Sequence, residues 1–359
     1  MITTTKDLKA LMARAHETDA VAFDTEFVWE RTYVPRLGLI QLALSDEDCF
    51  LIDPLALEDL SPLGKLLADP AVVKIFHDAP QDLSILRTAT GYDPQNIFDS
   101  RLAAGFAALG STLSLSALIE RLLDIKLTKT ETRTNWLKRP LDPKQTDYAL
   151  DDVRYLRAVR VLVLARILPE TKQWLDEEML LFNDPKHYLG ITDSERYAKV
   201  KGAGSLDERS LAILQDLCVW RESEARKRDK PRGHIIKDPV LAAIARKHLD
   251  NHDAILASGE ISAKTVKQYG DTIIQLVKSG EARSESNLPQ SLHSKKLKKS
   301  EKASLHNLQE YITLKSDVNG IDPALIGNKS ELTKLIRQST EPSRQSNGWR
   351  KTFLAEMES

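Results

Sequence analysis

Val21-Ala22-Phe23-Asp24-Thr25-Glu26-Phe27 is an apolar run of strand character that carries two carboxylates at i and i+2. Side chains alternate across a strand, so Asp24 and Glu26 project from one face while Phe23, Thr25 and Phe27 take the other. Two carboxylates about 4 Å apart repel by roughly 4 kcal/mol at an effective dielectric near 20, so such a pair persists only with cations, a shared proton or water. A hard-metal site meets that need. For the segment alone, the competing reading is the solvent face of an antiparallel strand.

Outward from this run, further short segments rich in Val, Ile, Leu and Phe predict strands over 37–44, 49–53 and 72–77, beside 20–27 itself. The first three follow one another with turn-like connections and suit an antiparallel meander. Helical periodicity then dominates over 81–90, 100–109, 113–124, 143–167 and 170–182. Strands followed by helices predict an α/β domain, a mixed sheet covered by helices, over 1–195. After Gly202 and Gly204 the pattern is almost purely helical, with Leu206, Leu211, Leu214, Leu217 and Val219 as apolar positions, and predicts a small all-α domain over 205–282. Ser284 to Lys302, with Lys295, Lys296, Lys298 and Lys299, reads as a linker with a basic end, and a second small all-α domain is expected over 300–359.

Composition removes several function classes. The chain has 359 residues, 42% apolar and 29% charged, which is ordinary for a globular protein and long enough for two or three cores. Met1 to Leu11 has no continuous apolar stretch, and no later segment approaches the roughly 18 to 20 apolar residues of a membrane span, so a cytoplasmic location without membrane contact is expected. Cys49 and Cys218 lack metal-type spacing and read as reduced thiols. Charge is divided unevenly: residues 1–200 hold 24 Lys+Arg against 31 Asp+Glu, and residues 201–359 hold 27 against 21. An acidic front and a basic back suit a carboxylate site followed by a module that binds a polyanion.

Two further segments join the opening pair. His77-Asp78-Ala79-Pro80-Gln81-Asp82-Leu83 leaves an apolar strand and enters a helix with Pro80 in its first turn. Acids are favoured at a helix start by the dipole and the unpaired amides, so one of Asp78 and Asp82 reads equally well as a cap. In Tyr148-Ala149-Leu150-Asp151-Asp152-Val153, Tyr148 and Asp152 stand at i and i+4 on one helical face, with Asp151 displaced around the helix.

Together these segments resemble the DEDD superfamily of 3′–5′ exonucleases, in the subgroup whose third motif carries a tyrosine. Asp24 and Glu26 match the first motif, Asp82 the second, and Tyr148 with Asp152 the third. Within that superfamily the chain is similar to the ribonuclease D family, on Asp24-Thr25-Glu26-Phe27, on Gly38-Leu39-Ile40-Gln41-Leu42 and on the segment from Glu131 through Trp136 to Leu141. The likeness implies a ribonuclease H-like mixed-sheet exonuclease domain. It implies that Asp24, Glu26, Asp82 and Asp152 hold two divalent ions, Mg²⁺ or Mn²⁺, and that Tyr148 orients the attacking water. Oxygen-only ligands suit those hard cations, and two of them about 3.5–4 Å apart activate water and steady the leaving oxygen. A phenol with pKa near 10 is a poor base at neutral pH, which favours orientation over proton abstraction.

Substrate contacts are less visible. Phe27 or Trp29 suits stacking of a terminal base, and Gln41, His77, Arg133 and Trp136 are candidates for lining the groove of the last nucleotides. Core packing competes for Phe27 and Trp136, and a satisfied strand-end histidine competes for His77. Arg133, Lys138 and Arg139 flank an aromatic in one loop, which suits phosphate contacts or any solvated turn. Leu217 to Pro231 resembles the helicase-and-ribonuclease-D C-terminal domain, with Arg226, Lys227, Arg228, Lys230 and Arg232 as a basic patch, and the segment with Gly320-Ile321-Asp322-Pro323 and Gly348-Trp349-Arg350 resembles a diverged second copy. The resemblance implies a metal-dependent 3′–5′ exoribonuclease, expected as a monomer, that trims 3′ trailing nucleotides of precursor tRNA and other structured RNAs and releases 5′-mononucleotides. A single-strand DNA exonuclease of the same superfamily is the alternative, because the motifs do not read the 2′-hydroxyl.

Overall fold

The structure, a computed structural model, describes residues 1–127, 134–293, 296–337 and 343–355. They divide into two compact units, Met1–Val28 with Leu37–Leu189 and Leu297–Ser359, and Trp29–Arg36 with Gly190–Lys296.

The first unit is built on a five-stranded sheet of β1 (Ala20–Val28), β2 (Arg36–Ala43), β3 (Cys49–Ile52), β4 (Val73–Phe76) and β5 (Ile97–Asp99), in the order β3-β2-β1-β4-β5. β2 and β3 are antiparallel with Ile40 opposite Ile52, while β1, β4 and β5 run parallel, with Ala22 opposite Ile75 and Phe76 opposite Asp99. The mixed sheet of the sequence reading is therefore present, with β5 added at its edge. Three residues, Ile97-Phe98-Asp99, are too few to show an alternation.

Helices α1 (Thr5–His16), α2 (Ser61–Ala68), α3 (Pro80–Thr90), α4 (Ser100–Phe106), α5 (Leu115–Leu123), α6 (Pro143–Arg154), α7 (Leu156–Leu164) and α8 (Pro169–Leu180) complete this part of the unit. α1 is an addition to the sequence expectation, although Leu8, Leu11, Met12 and Ala15 are buried at helical spacing and Thr4 caps its start by accepting from the Asp7 amide. The helix expected over 143–167 is divided at Tyr155. The division lets α6 bury Ala149 with Leu39, Leu51 and Trp136, while α7 buries Leu156, Val159 and Val163 in the main core. α6 also reaches the main core through Val153, one turn on from Ala149.

Helices α14 (Lys299–Val318), α15 (Lys329–Ile336) and α16 (Gly348–Ala355) belong to this same unit. Leu305, Leu308, Ile312, Trp349 and Phe353 join the core that holds Phe106 and Leu175. The Trp349 ring stacks on Trp174 at 5.1 Å and meets Phe106 edge-on at 5.4 Å. Its indole N–H donates to Glu178 at 2.8 Å, and Arg350 pairs with the same buried carboxylate.

The second unit contains α9 (Glu208–Lys227), α10 (Arg232–Ile235), α11 (Asp238–Lys247), α12 (His252–Ala257) and α13 (Ala263–Ala282). Leu211, Leu214, Leu217, Ile244, Ile273 and Val277 form its core. α9 and α13 cross closely at Gly280, where a Cβ would stand 2.7 Å from the Ile213 backbone. Among the described residues, no helix is long and apolar enough to cross a membrane.

Candidate active site

Asp24 and Glu26 project from β1, and Tyr148 and Asp152 stand one turn apart on α6. One carboxylate oxygen each from Asp24, Glu26 and Asp152 lies within 4.8 Å of the others. Burial, followed by the charges of Asp82, Asp152 and Glu26, raises the Asp24 carboxyl well above the carboxylate range. Burial and then Asp152 and Asp82 push Glu26 up to about 8. Asp152 is pushed up to about 7, chiefly by burial and against the lowering effect of a hydrogen bond from Tyr148. The Tyr148 phenol is itself held above its ordinary range by burial and by the charges of Asp152, Glu26 and Asp24, so it stays protonated and acts as a donor.

Asp82 is not one of that trio. It lies in the first turn of α3, buried, and the Thr25 hydroxyl on β1 donates to its carboxylate. Burial pushes this group up to about 7 against that hydrogen bond. Neither Asp78 nor Asp82 caps α3, whose N-cap position is Ala79 with no side-chain cap bond. The amides are taken instead by Asp99, a buried carboxylate at the end of β5. It accepts from the N–H of Asp78 at 3.2 Å and of Ala79 at 2.9 Å, and from those of Arg101 at 2.9 Å and Leu102 at 3.2 Å at the start of α4. Asp99 thus ties the turn that presents Asp82 to the next strand and helix. Asp78 adopts φ of 67° in this turn and pairs with Arg101 at the surface. Asp151 faces away to Arg154 at 3.2 Å.

A cavity of about 430 Å³ opens beside the acids, lined by Asp24, Thr25, Phe27, His77, Asp78, Pro80, Gln81 and Asp82. Phe27 and His77 therefore border it. His77 is held at both nitrogens, Nδ1 at 2.9 Å from the Ser100 hydroxyl and Nε2 donating to the Leu113 carbonyl at 3.0 Å, and burial lowers its pKa. Gln41 and Trp136 are corrected from groove-lining to interior positions. Gln41 is 0% and Trp136 3% exposed, so neither presents a surface to a substrate. The Gln41 amide has no hydrogen-bond partner among the described residues. The Trp136 ring packs 6.3 Å from that of Tyr148, and its carbonyl lies over Gly38, where a Cβ would come within 2.7 Å of that oxygen. Arg133 lies outside the described residues.

Arg139 is a clamp. Its Nε and Nη2 bind the buried Asp53 carboxylate at 2.6 and 2.7 Å, and it donates to the carbonyls of Gly38 at 2.6 Å and Trp136 at 2.8 Å. Its guanidinium holds the Asp53 carboxyl below the usual range against the effect of burial. The loop that carries Trp136 toward Tyr148 is thereby pinned to β2 and β3. Sequence reasoning missed Thr25, Asp53 and Asp99 as parts of the site. Asp99 had a signal, an Asp-Ser-Arg helix start directly after Ile-Phe. Thr25 and Asp53 had none, since their partners lie 57 and 86 residues away.

Comparison with known proteins agrees with this architecture. Residues 1–162 match the 3′–5′ exonuclease domain family, and residues 210–277 match the HRDC domain family. The chain is 52% identical to ribonuclease D of Desulfotalea psychrophila over 99% of its length and 96% of that protein. It is 31% identical to ribonuclease D of Escherichia coli over 99% and 96% of the two chains. The crystal structure of Escherichia coli RNase D, described as an exoribonuclease involved in structured RNA processing, superposes with a TM-score of 0.86 at 30% identity, covering 99% of this chain and 96% of that one. The catalytic core of RRP6 from Trypanosoma brucei shares the fold at a TM-score of 0.60 and 22% identity, over 78% of each chain.

Proposed function

This chain belongs to the ribonuclease D family of 3′–5′ exoribonucleases, and on that premise we propose that it trims the 3′ trailing nucleotides of precursor tRNA and other structured RNAs as a monomer, releasing 5′-mononucleotides. The observation that carries this reading is the trio Asp24, Glu26 and Asp152 gathered within 4.8 Å beside an open cavity. Three acids forced up in pKa by burial and by the charges of neighbouring acids form an all-oxygen donor set that suits a hard divalent cation. The family is metal-dependent. Asp24, Glu26, Asp82 and Asp152 are the residues that would hold two ions, Mg²⁺ or Mn²⁺. When bound, such ions supply Lewis-acid activation of water and neutralise charge at the scissile phosphate and the leaving 3′ oxygen.

The protein's own groups do the positioning. Tyr148, fixed by packing against Trp136 and donating its one proton to Asp152, directs its phenol toward the acids and orients the attacking water by accepting from it at the phenol oxygen. Thr25 holds the Asp82 carboxylate, and Asp99 holds the turn beneath it. Phe27 offers a ring to the terminal base in the cavity. Water adds to phosphorus, the bond from phosphorus to the upstream 3′ oxygen breaks, and that oxygen leaves as the new 3′-hydroxyl.

A 5′-labelled precursor tRNA with a 3′ extension, incubated with Mg²⁺, with Mn²⁺ and with a chelator, tests the proposal beside single-stranded DNA of the same sequence. Stepwise shortening from the 3′ end that stops with chelator is expected, with 5′-mononucleotides as the products. Internal cuts, metal-independent shortening, or faster digestion of the DNA would overturn it.

A further inference from the structure

The loop Trp29–Arg36 belongs to the helical unit, where it is secured more firmly than an exposed connection requires. The Tyr33 hydroxyl donates to Glu222 at 2.9 Å, its amide donates to Asp229 at 3.1 Å, and the Arg226 guanidinium lies 5.1 Å from its ring. Trp29 is tied to this anchor by its indole N–H, which donates to the Tyr33 carbonyl at 3.3 Å. Yet Trp29 remains 50% exposed, an unusual state for the largest apolar residue. With Tyr33, Pro231, Arg232 and Gly233 it lines a pocket of about 220 Å³. That volume lies below the roughly 300–1,000 Å³ of drug-sized sites and suits a single planar ring system.

Charge says what kind of ring. Arg226, Lys227, Arg228, Lys230 and Arg232 fall within seven consecutive residues, and although Arg226, Arg228 and Arg232 pair with Asp193, Glu224 and Glu222, all five stay at least partly exposed. Lys227 and Lys230 are exposed, and Arg232 meets Glu222 through Nε at 2.8 Å with its side chain still 39% exposed. A fixed, half-exposed indole beside an arginine, at the basic end of a helix, is the arrangement that holds an unstacked base while the charges track its phosphates. A basic helix end without an aromatic would be a solubilising surface, and an exposed aromatic without cations would fit a protein partner.

We propose that Trp29, Tyr33 and Arg232 form a stacking site for one unpaired base of single-stranded RNA, within the helical unit and additional to the cavity beside the acids. The inference rests on the reading of this chain as an exoribonuclease of 3′ single strands. A fixed second grip on the strand would keep a substrate engaged between cleavages.

The test is binding of a fluorescently labelled single-stranded oligoadenylate to the full chain in EDTA, so that nothing is hydrolysed, with tryptophan emission recorded in parallel. Trp29→Ala is expected to weaken binding about tenfold, by a similar factor at every salt concentration, because stacking does not depend on ion release. Trp29→Phe should keep near-native affinity and lose part of the tryptophan quenching. Arg232→Gln, which keeps the indole, should weaken binding several-fold, with a thermal melt recorded beside it because the change also removes a partner of the buried Glu222. Trp29→Ala binding within twofold of wild type, full quenching in Trp29→Phe, or no binding by the wild type in EDTA would each overturn the proposal. Should the wild type shorten 3′-extended RNA while Trp29→Ala binds normally, only this inference falls. Absence of any shortening removes the functional reading itself.

Discussion

Two acidic sites in this molecule, one buried and one half-buried, carry opposite signatures. In the helical unit Glu222 is 0% exposed and surrounded by partners: Arg232 at 2.8 Å, Arg196 at 3.1 Å, Arg221 at 3.8 Å and the Tyr33 hydroxyl at 2.9 Å. In the sheet unit Asp24, Glu26 and Asp152 face one another within 4.8 Å, and the charges that dominate their surroundings are those of other acids. A buried acid ringed by arginines is a structural joint, whose loss costs stability. Half-buried acids that repel one another are maintained at a cost and make a donor set suited to a cation. The difference separates residues that hold the fold from residues that the fold holds.

The sharpest way to break that comparison is to neutralise one acid in each place. Asp24→Asn should reduce single-turnover RNA cleavage by roughly a thousandfold, since several kcal/mol of charge stabilisation at the transition state depend on it, while metal-free thermal stability holds or rises as repulsion is relieved. Glu222→Gln should do the reverse, lowering unfolding free energy by about 3 kcal/mol because Arg221 and its neighbours stay buried, with turnover per folded molecule retained. Calorimetry and a rapid-quench assay on the two variants check both arms. A stable, inactive Glu222→Gln protein would remove the distinction.

Next in size is Asp99→Ala. It strips four backbone amides of their acceptor and loosens the turn ahead of Asp82, so turnover should fall by about ten- to a hundredfold together with a loss of roughly 1–3 kcal/mol of stability. Asp99→Asn, which keeps an acceptor oxygen, should recover much of both. Equal damage from the two variants would place the role of Asp99 in its charge.

The acids also predict a pH response. Glu26 at about 8 and Asp82 and Asp152 at about 7 bind protons more tightly when folded than when unfolded. The stability they contribute is therefore complete below the ordinary carboxylate pKa and is lost as pH rises toward 7 to 8. The metal-free protein should melt several degrees lower at pH 8 than at pH 6, and added Mn²⁺ should raise the melting temperature more at pH 8, where fewer protons must be displaced. A melting temperature flat across this range without metal would contradict it. The smallest effect belongs to Asp151→Ala, which removes an exposed pair with Arg154 and should leave turnover within about twofold and stability within about 1 kcal/mol.

Much of the site was legible because it is local. Asp24 with Glu26, and Tyr148 with Asp152, follow from the strand period of two and the helix period near 3.6, which place each pair on one side of its own element. The sheet was legible except for β5, and α6 and α7 were read as one helix because their joint at Tyr155 has no proline or glycine to mark it. Gln41, Trp136 and Arg139 were open to reading as substrate contacts, since polar, aromatic and basic residues near motifs look alike whether they face solvent or core.

Local order thus lay in the chain itself: which residues share a face, where elements begin, and which half of the molecule is acidic. Tertiary structure decided partnership. It joined Arg139 to Asp53 across 86 residues and Thr25 to Asp82 across 57, and folded the carboxy-terminal helices into the core around Phe106 and Trp174. The physical reason is that periodicity records only the direction of a side chain about its own axis. The hydrogen bond or ion pair that rewards its burial depends on which distant segment arrives opposite, and that is settled when the whole core closes.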